Sequence, residues 1–238
     1  MSSDATDGIG NHDLQDLRSS KRRKKYPMPT AQFHGLFFSS KPIQHLSSLR
    51  GRRVEVLHVF PLILRIFDFL TAKEIEWAIR LLSNGKMLRS FTQEGDRKIY
   101  DSNRTSTFVP LAKKHDSIAS RIEGRAADMI GSQQDHVEAL QLVHYTKGQH
   151  FGEHHDAGTI NEETGEIEAT NPRRVATLFV YLNTLATGEG DTVFTYLDLA
   201  VQPVAGSALV FPNVDSSGAI EFRTKHKVSV LEPRQVGP

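Results

Sequence analysis

The stretch Tyr145-Thr146-Lys147-Gly148-Gln149-His150-Phe151-Gly152-Glu153-His154-His155-Asp156 decides how this chain is read. The run before it, Leu140-Gln141-Leu142-Val143-His144, has the alternation of a β-strand. Along an extended segment, successive side chains point to opposite faces. An extended His154 to Asp156 therefore puts His154 and Asp156 on one face and His155 on the other. Two ligands on one strand, joined by a distant imidazole, make the two-His-one-carboxylate facial triad that holds non-haem Fe(II). His226 is the distant candidate, because no other histidine follows Asp156.

Composition narrows the alternatives. The chain has 238 residues, enough for one sizeable core with a tail. Lys and Arg number 29 against 28 Asp and Glu, so bulk charge points to neither nucleic acid nor a membrane surface. There is no cysteine, which excludes disulfides, thiolate metal sites and cysteine nucleophiles. Any metal must then sit on histidine and carboxylate. No apolar run approaches the ~20 residues that span a bilayer, and the N-terminus has no apolar signal region.

Two regions are expected. Residues 1–52 read as a disordered or loosely attached basic tail, rich at first in Ser, Asp and Gly and then carrying the run Ser20-Lys21-Arg22-Arg23-Lys24-Lys25. Nuclear import is one reading of that run, and a solvated charged tail is the plainer one. Residues 53–238 read as the folded domain. Val54 to Pro61 has strand character, and Leu62 to Leu70 continues it. Thr71 with Glu74 forms a capping box for a helix that buries Ile75, Ala78, Ile79 and Leu82 and closes at Asn84-Gly85. A second helix is expected from about Asp116 to Met129, with Ile118, Ile122, Ala126 and Ile130 on one face.

After Val137 short strands take over. Arg174 to Asn183 is a long apolar strand. Thr192 to Phe194, Ala200 to Val204, Ala208 to Phe211 and His226 to Leu231 follow, separated by Gly and Pro. Asn161 to Asn171 is an acidic, polar loop placed to cover a substrate. Helices followed by many short strands predict an α+β fold with a jelly-roll or barrel core.

The ordered motifs resemble the prolyl 4-hydroxylase family of 2-oxoglutarate- and Fe(II)-dependent dioxygenases. That family carries Tyr-x-x-Gly-x-x-aromatic-x-x-His-x-Asp ahead of a strand of the form Arg-x-Ala-Thr. Here these are Tyr145, Gly148, Phe151, His154 and Asp156, then Arg174, Ala176 and Thr177. Tyr181-Leu182, the turn Gly188 to Gly190, Thr192-Val193-Phe194 and Gly206 to Phe211 continue the likeness. Asn103 to Pro110 and Ile122-Glu123-x-Arg125 extend it upstream, so that it covers about Val54 to Leu231.

The resemblance implies a double-stranded β-helix (jelly-roll) core with supporting N-terminal helices packed on one sheet. It implies Fe(II) on His154, Asp156 and His226, with 2-oxoglutarate, O2 and ascorbate as the other reaction partners. Tyr145, Tyr181 and Thr192 match residues lining the cosubstrate pocket, and Arg174 matches a position facing a proline-containing peptide substrate. The family places a Lys or Arg about ten residues after the second histidine, to hold the 5-carboxylate. Here that position is Val236, and Arg234 is the nearest cation. Either Arg234 fills the role through a shifted loop, or the domain is C-terminally truncated. The family is often anchored in the endoplasmic reticulum lumen. This N-terminus shows no such anchor, which leaves cytoplasmic and nuclear locations open.

Two other readings compete. His150-Phe151-Gly152-Glu153-His154 formally fits a His-x-x-Glu-His zinc hydrolase, which needs a helix that Gly152 and the strand-like flanks oppose. A non-catalytic binding module on a degenerate oxygenase fold is the alternative that the irregular C-terminus suggests.

Overall fold

The structure is a computed structural model that describes residues 51–229, apart from residues 95, 96, 101, 162 and 171. The tail up to residue 50, its basic run and Arg234 lie outside the described residues. In chain order come β1 (Val54–His58), β2 (Ile63–Ile66), α1 (Ala72–Asn84), β3 (Leu88–Arg89), β4 (Thr92–Glu94), β5 (Arg97–Ile99), β6 (Thr107–Pro110) and α2 (Ser117–Ile130). Then follow β7 (Gln141–His144), β8 (Phe151–His154), β9 (Gly158–Ile160), β10 (Ile167–Ala169), β11 (Ala176–Val180), β12 (Thr192–Phe194), β13 (Leu199–Val201), β14 (Ala208–Pro212) and β15 (His226–Val228).

Two four-stranded antiparallel sheets dominate, in the orders β1-β2-β14-β11 and β13-β12-β15-β8. The period-2 alternation of β2 and β14 divides their side chains between two cores. Leu64, Ile66, Ala208 and Val210 face one way, into a cluster with Trp77, Ala78, Ala119, Ile122, Ala126 and Met129 of the helices. Ile63, Leu209 and Phe211 face the other way and meet Phe194 and Val201 of the second sheet. Strand β14 is buried along its whole length because it is covered on both faces.

Both helices start where capping chemistry demands. Thr71 and Glu74 close the expected capping box on α1. Asp116 accepts from the backbone N–H groups of Ile118 and Ala119 at the start of α2, and also from Trp77 Nε1 at 2.8 Å. Glu74, Trp77 and Ala78 are the buried residues of α1, while Ile79, expected inside, is exposed. At Gly85 a Cβ would lie 2.6 Å from the Leu81 carbonyl and 2.8 Å from a Val109 methyl, so the α1 terminus tolerates no side chain.

Three sequence expectations change. Val54 to Leu70 is a hairpin, with β1 and β2 paired antiparallel across a turn that contains Pro61. Proline has no N–H for a ladder and breaks the strand there. The long strand from Arg174 shortens to Ala176–Val180. Within the polar loop Asn161 to Asn171, residues 167–169 form β10, which pairs with β9 just ahead of the loop. This pairing brings Gly158 so close to β10 that a Cβ would fall 1.7 Å from the Glu168 carbonyl.

Candidate metal centre

Pairing between β8 and β15 places His226 directly opposite His154. Each of these residues stands at one end of its strand, so both imidazoles reach the same edge of the sheet. Ring centroids are 4.3 Å apart. The chain turns after His154, and Asp156 comes back to the same side. Its Oδ1 lies 3.5 Å from His154 Nε2 and its Oδ2 lies 3.9 Å from His226 Nε2. One ligand atom from each of the three residues lies within 4.8 Å of the others. Three atoms each ~2 Å from a shared ion must lie ~3–4 Å apart, so the donor set fits one metal ion. His155 is buried and is not one of the three clustered residues.

Hydrogen bonds fix which nitrogen faces the ion. His154 Nδ1 lies 2.9 Å from the Gly152 carbonyl, and His226 Nδ1 lies 3.0 Å from the Thr224 carbonyl. A carbonyl only accepts, so both Nδ1 atoms donate, and Nε2 is the ring atom that each turns towards Asp156. Burial pushes the His226 pKa down to about 4, with His154 adding to the effect and Asp156 opposing it. The ring is therefore neutral near pH 7, as a ligand must be. For Asp156, burial disfavours the charge. The attraction of His226 and His154 and the Thr177 hydroxyl bond outweigh it and hold the carboxyl far below its usual range.

Apolar walls shape the rest. Phe151 stacks on His154 at 3.5 Å between centroids, and Phe211 and Phe194 pack against His226 at 5.0 and 5.5 Å. The Arg104 guanidinium lies over the Phe151 ring at 4.5 Å.

The cleft that holds the triad is also lined by Tyr145, Arg174, Tyr181 and Thr192. Tyr181 OH and Thr192 Oγ1 are 2.9 Å apart in a buried contact. Burial pushes the Tyr181 phenol up to about 12, so it remains protonated. Tyr145 is also pushed up by burial, with the Arg104 guanidinium opposing the shift. Arg174 makes a two-pronged bond to Glu138 at 2.6 and 3.1 Å. Arg234 lies outside the described residues, and nothing is placed for it.

Support for Asp156 was not singled out in the sequence. Thr177 Oγ1 donates to Asp156 Oδ2 at 2.6 Å, and Asn213 Nδ2 donates to Thr177 Oγ1 at 3.0 Å. Thr177 stands in the Arg-x-Ala-Thr motif, whereas Asn213 carries no sequence signal. The zinc hydrolase pattern fails, because Phe151–His154 is strand and not helix. Among the described residues, the metal-ligating group is His154, Asp156 and His226.

Residues 140–235 match the family model described as 2OG-Fe(II) oxygenase superfamily. The chain is 30% identical over 180 residues to prolyl 4-hydroxylase subunit alpha-3 of Rattus norvegicus, an alignment covering 75% of this chain and 32% of the relative. It is 29% identical over 198 residues to probable prolyl 4-hydroxylase 7 of Arabidopsis thaliana, covering 73% of this chain and 60% of the relative. The chain thus spans about a third of the alpha-3 subunit. A solved structure of the viral collagen prolyl hydroxylase of Paramecium bursaria Chlorella virus-1 shares the fold, with a TM-score of 0.54 and 20% identity. That match covers 78% of this chain and 92% of the viral one. No helix among the described residues is long and apolar enough to cross a membrane.

Proposed function

We propose that this chain, whose residues 140–235 match the 2OG-Fe(II) oxygenase superfamily model, is a 2-oxoglutarate- and Fe(II)-dependent dioxygenase that hydroxylates peptidyl proline at the 4-position. The observation that carries this reading is the convergence of His154, Asp156 and His226 within 4.8 Å, with both Nε2 atoms turned inward. Fe(II) would be held by these three residues. When bound, it couples oxidation of 2-oxoglutarate to succinate and CO2 with insertion of one oxygen atom of O2 into a C–H bond. Ascorbate belongs to the same reading as the reductant that keeps the metal ferrous.

The chain's own residues bind, orient and exclude water. Tyr181 and Thr192 present hydroxyls in a buried pocket, where a protonated phenol donates to a carboxylate. Arg234 is the cation proposed for the cosubstrate's far carboxylate. Tyr145 lines the same cleft and is proposed for the cosubstrate pocket with Tyr181 and Thr192, and Arg174 is proposed for the peptide side. Phe151, Phe194 and Phe211 keep the surroundings of the imidazoles dry. The two four-stranded sheets are read as a double-stranded β-helix, with α1 and α2 as its supporting helices.

Anaerobic titration with Fe(II) and then 2-oxoglutarate tests the centre. A metal-to-ligand charge-transfer band is expected. Succinate formation that depends on a proline-rich peptide then separates a hydroxylase from a binding module on the same fold. A chain that yields neither band nor succinate sinks the reading.

A further inference from the structure

We propose that His155, the residue between the candidate ligands His154 and Asp156, is a positioning residue that clamps the β8 end of the centre to the turn delivering His226. The proposal rests on the metal-centre reading above. His155 is 3% exposed and is not one of the three clustered ligands. The Ala157 backbone N–H donates to His155 Nδ1 at 3.0 Å. Nδ1 is therefore bare, and the neutral ring carries its proton on Nε2. Nε2 donates to the Glu221 carbonyl at 3.0 Å.

Glu221 opens the 3₁₀ turn Phe222–Thr224, which runs directly into His226. The Thr224 hydroxyl also donates to the Glu221 carbonyl at 2.8 Å, and the Thr224 carbonyl accepts from His226 Nδ1. The Glu221 N–H donates to the Asn213 carbonyl at 3.1 Å. Asn213 in turn supports Thr177 and, through it, Asp156. A closed circuit of hydrogen bonds thus runs from Asp156 through Thr177, Asn213 and Glu221 to His155, the neighbour of Asp156 in sequence.

Such a tie is needed because β15 is three residues long, begins at His226 and has a register irregularity between His226 and Val228. The sheet ladder alone leaves the His226 ring held on one side. Imidazole suits the task because it accepts on one edge and donates on the other. Asparagine reproduces the near acceptor, and glutamine the far donor.

The test uses the full chain and four measurements. These are Mn(II) affinity by electron paramagnetic resonance, the ligand-field spectrum with Co(II), thermal unfolding without metal, and the same affinity in a His226→Ala background. His155→Gln, which keeps the donor to Glu221, should bind Mn(II) within about threefold of the wild type. His155→Asn and His155→Phe should weaken it roughly 10- to 100-fold and alter the Co(II) spectrum, as loss of outer-shell support does. In the His226→Ala background, His155→Asn should add less than about threefold, because neighbouring effects acting through one residue do not add. If His155→Phe fails to fold, the contrast between Asn and Gln decides. Wild-type affinity in His155→Asn, or a loss undiminished without His226, overturns the clamp while leaving the metal centre intact. A wild-type chain that binds no Mn(II) overturns both.

Discussion

Thr177 Oγ1 donates to Asp156 Oδ2 at 2.6 Å from the neighbouring sheet, so the carboxylate is held by a residue 21 positions along the chain. Its other oxygen is left facing His154. The hydroxyl receives its own bond from Asn213, a fully buried side chain. A charged hydrogen bond of this kind orients a ligand before the ion arrives. Thr177→Val should therefore weaken Mn(II) binding roughly 10- to 100-fold, and Thr177→Ser should restore most of it. Equal affinities in the valine variant and the wild type would show that Asp156 needs no such support.

Removal of a ligand has a larger effect. His154→Ala, Asp156→Ala and His226→Ala should each abolish 2-oxoglutarate-dependent succinate formation. Each should also lose the charge-transfer band on anaerobic addition of Fe(II) and 2-oxoglutarate. Full turnover in any of the three would remove that residue from the centre.

The buried Tyr181–Thr192 pair is proposed to receive a carboxylate, which gives a separate measurement. Tyr181→Phe deletes one donor and should raise the Kd for 2-oxoglutarate about 10-fold, the equivalent of one good hydrogen bond to a charged group. Arg234→Ala should raise it more, because a cation facing a partly buried carboxylate contributes beyond one neutral bond. Mn(II) affinity should stay unchanged in both. An unchanged Kd in the arginine variant would assign the far carboxylate to another residue.

Acid should loosen the metal-free protein. The folded-state pKa of His226, about 4, lies below its unfolded value near 6.5. Between those values the unfolded chain takes up a proton that the folded one refuses. The contribution to stability is complete above pH ~6.5 and is lost as pH falls towards 4, with a slope of up to about 1.4 kcal/mol per pH unit. Asp156, also depressed, loses its contribution at still lower pH. Urea unfolding at several pH values should show His226→Ala with the shallower dependence between pH 4 and 6.5. Parallel curves would assign the acid sensitivity to other groups.

Asp116 is tested by stability alone. Its carboxylate caps α2 and accepts from Trp77 Nε1 in α1. Asp116→Ala removes the cap and leaves a partly buried indole N–H without its partner, a loss of about 2–3 kcal/mol. Asp116→Asn should recover part of it. A change below about 0.5 kcal/mol in urea unfolding would show that the two helices are joined by apolar contacts alone.

The amino-acid sequence by itself determined what depends on near neighbours. The His-x-Asp spacing singled out His154 and Asp156, and capping chemistry started the first helix at Thr71. His226 was identifiable because no other histidine follows Asp156. Tertiary structure decided everything that joins distant segments. The register that sets His226 against His154 comes from a ladder of two strands more than 70 residues apart, and no local periodicity encodes an offset between strands. The support of Asp156 by Thr177 and Asn213, the contact of Tyr181 with Thr192, and the grip of His155 on Glu221 are products of sheet packing in the same way. The exposure of Ile79 has a like origin: a helix's apolar stripe allows a range of rotations, and packing against the rest of the core selects among them.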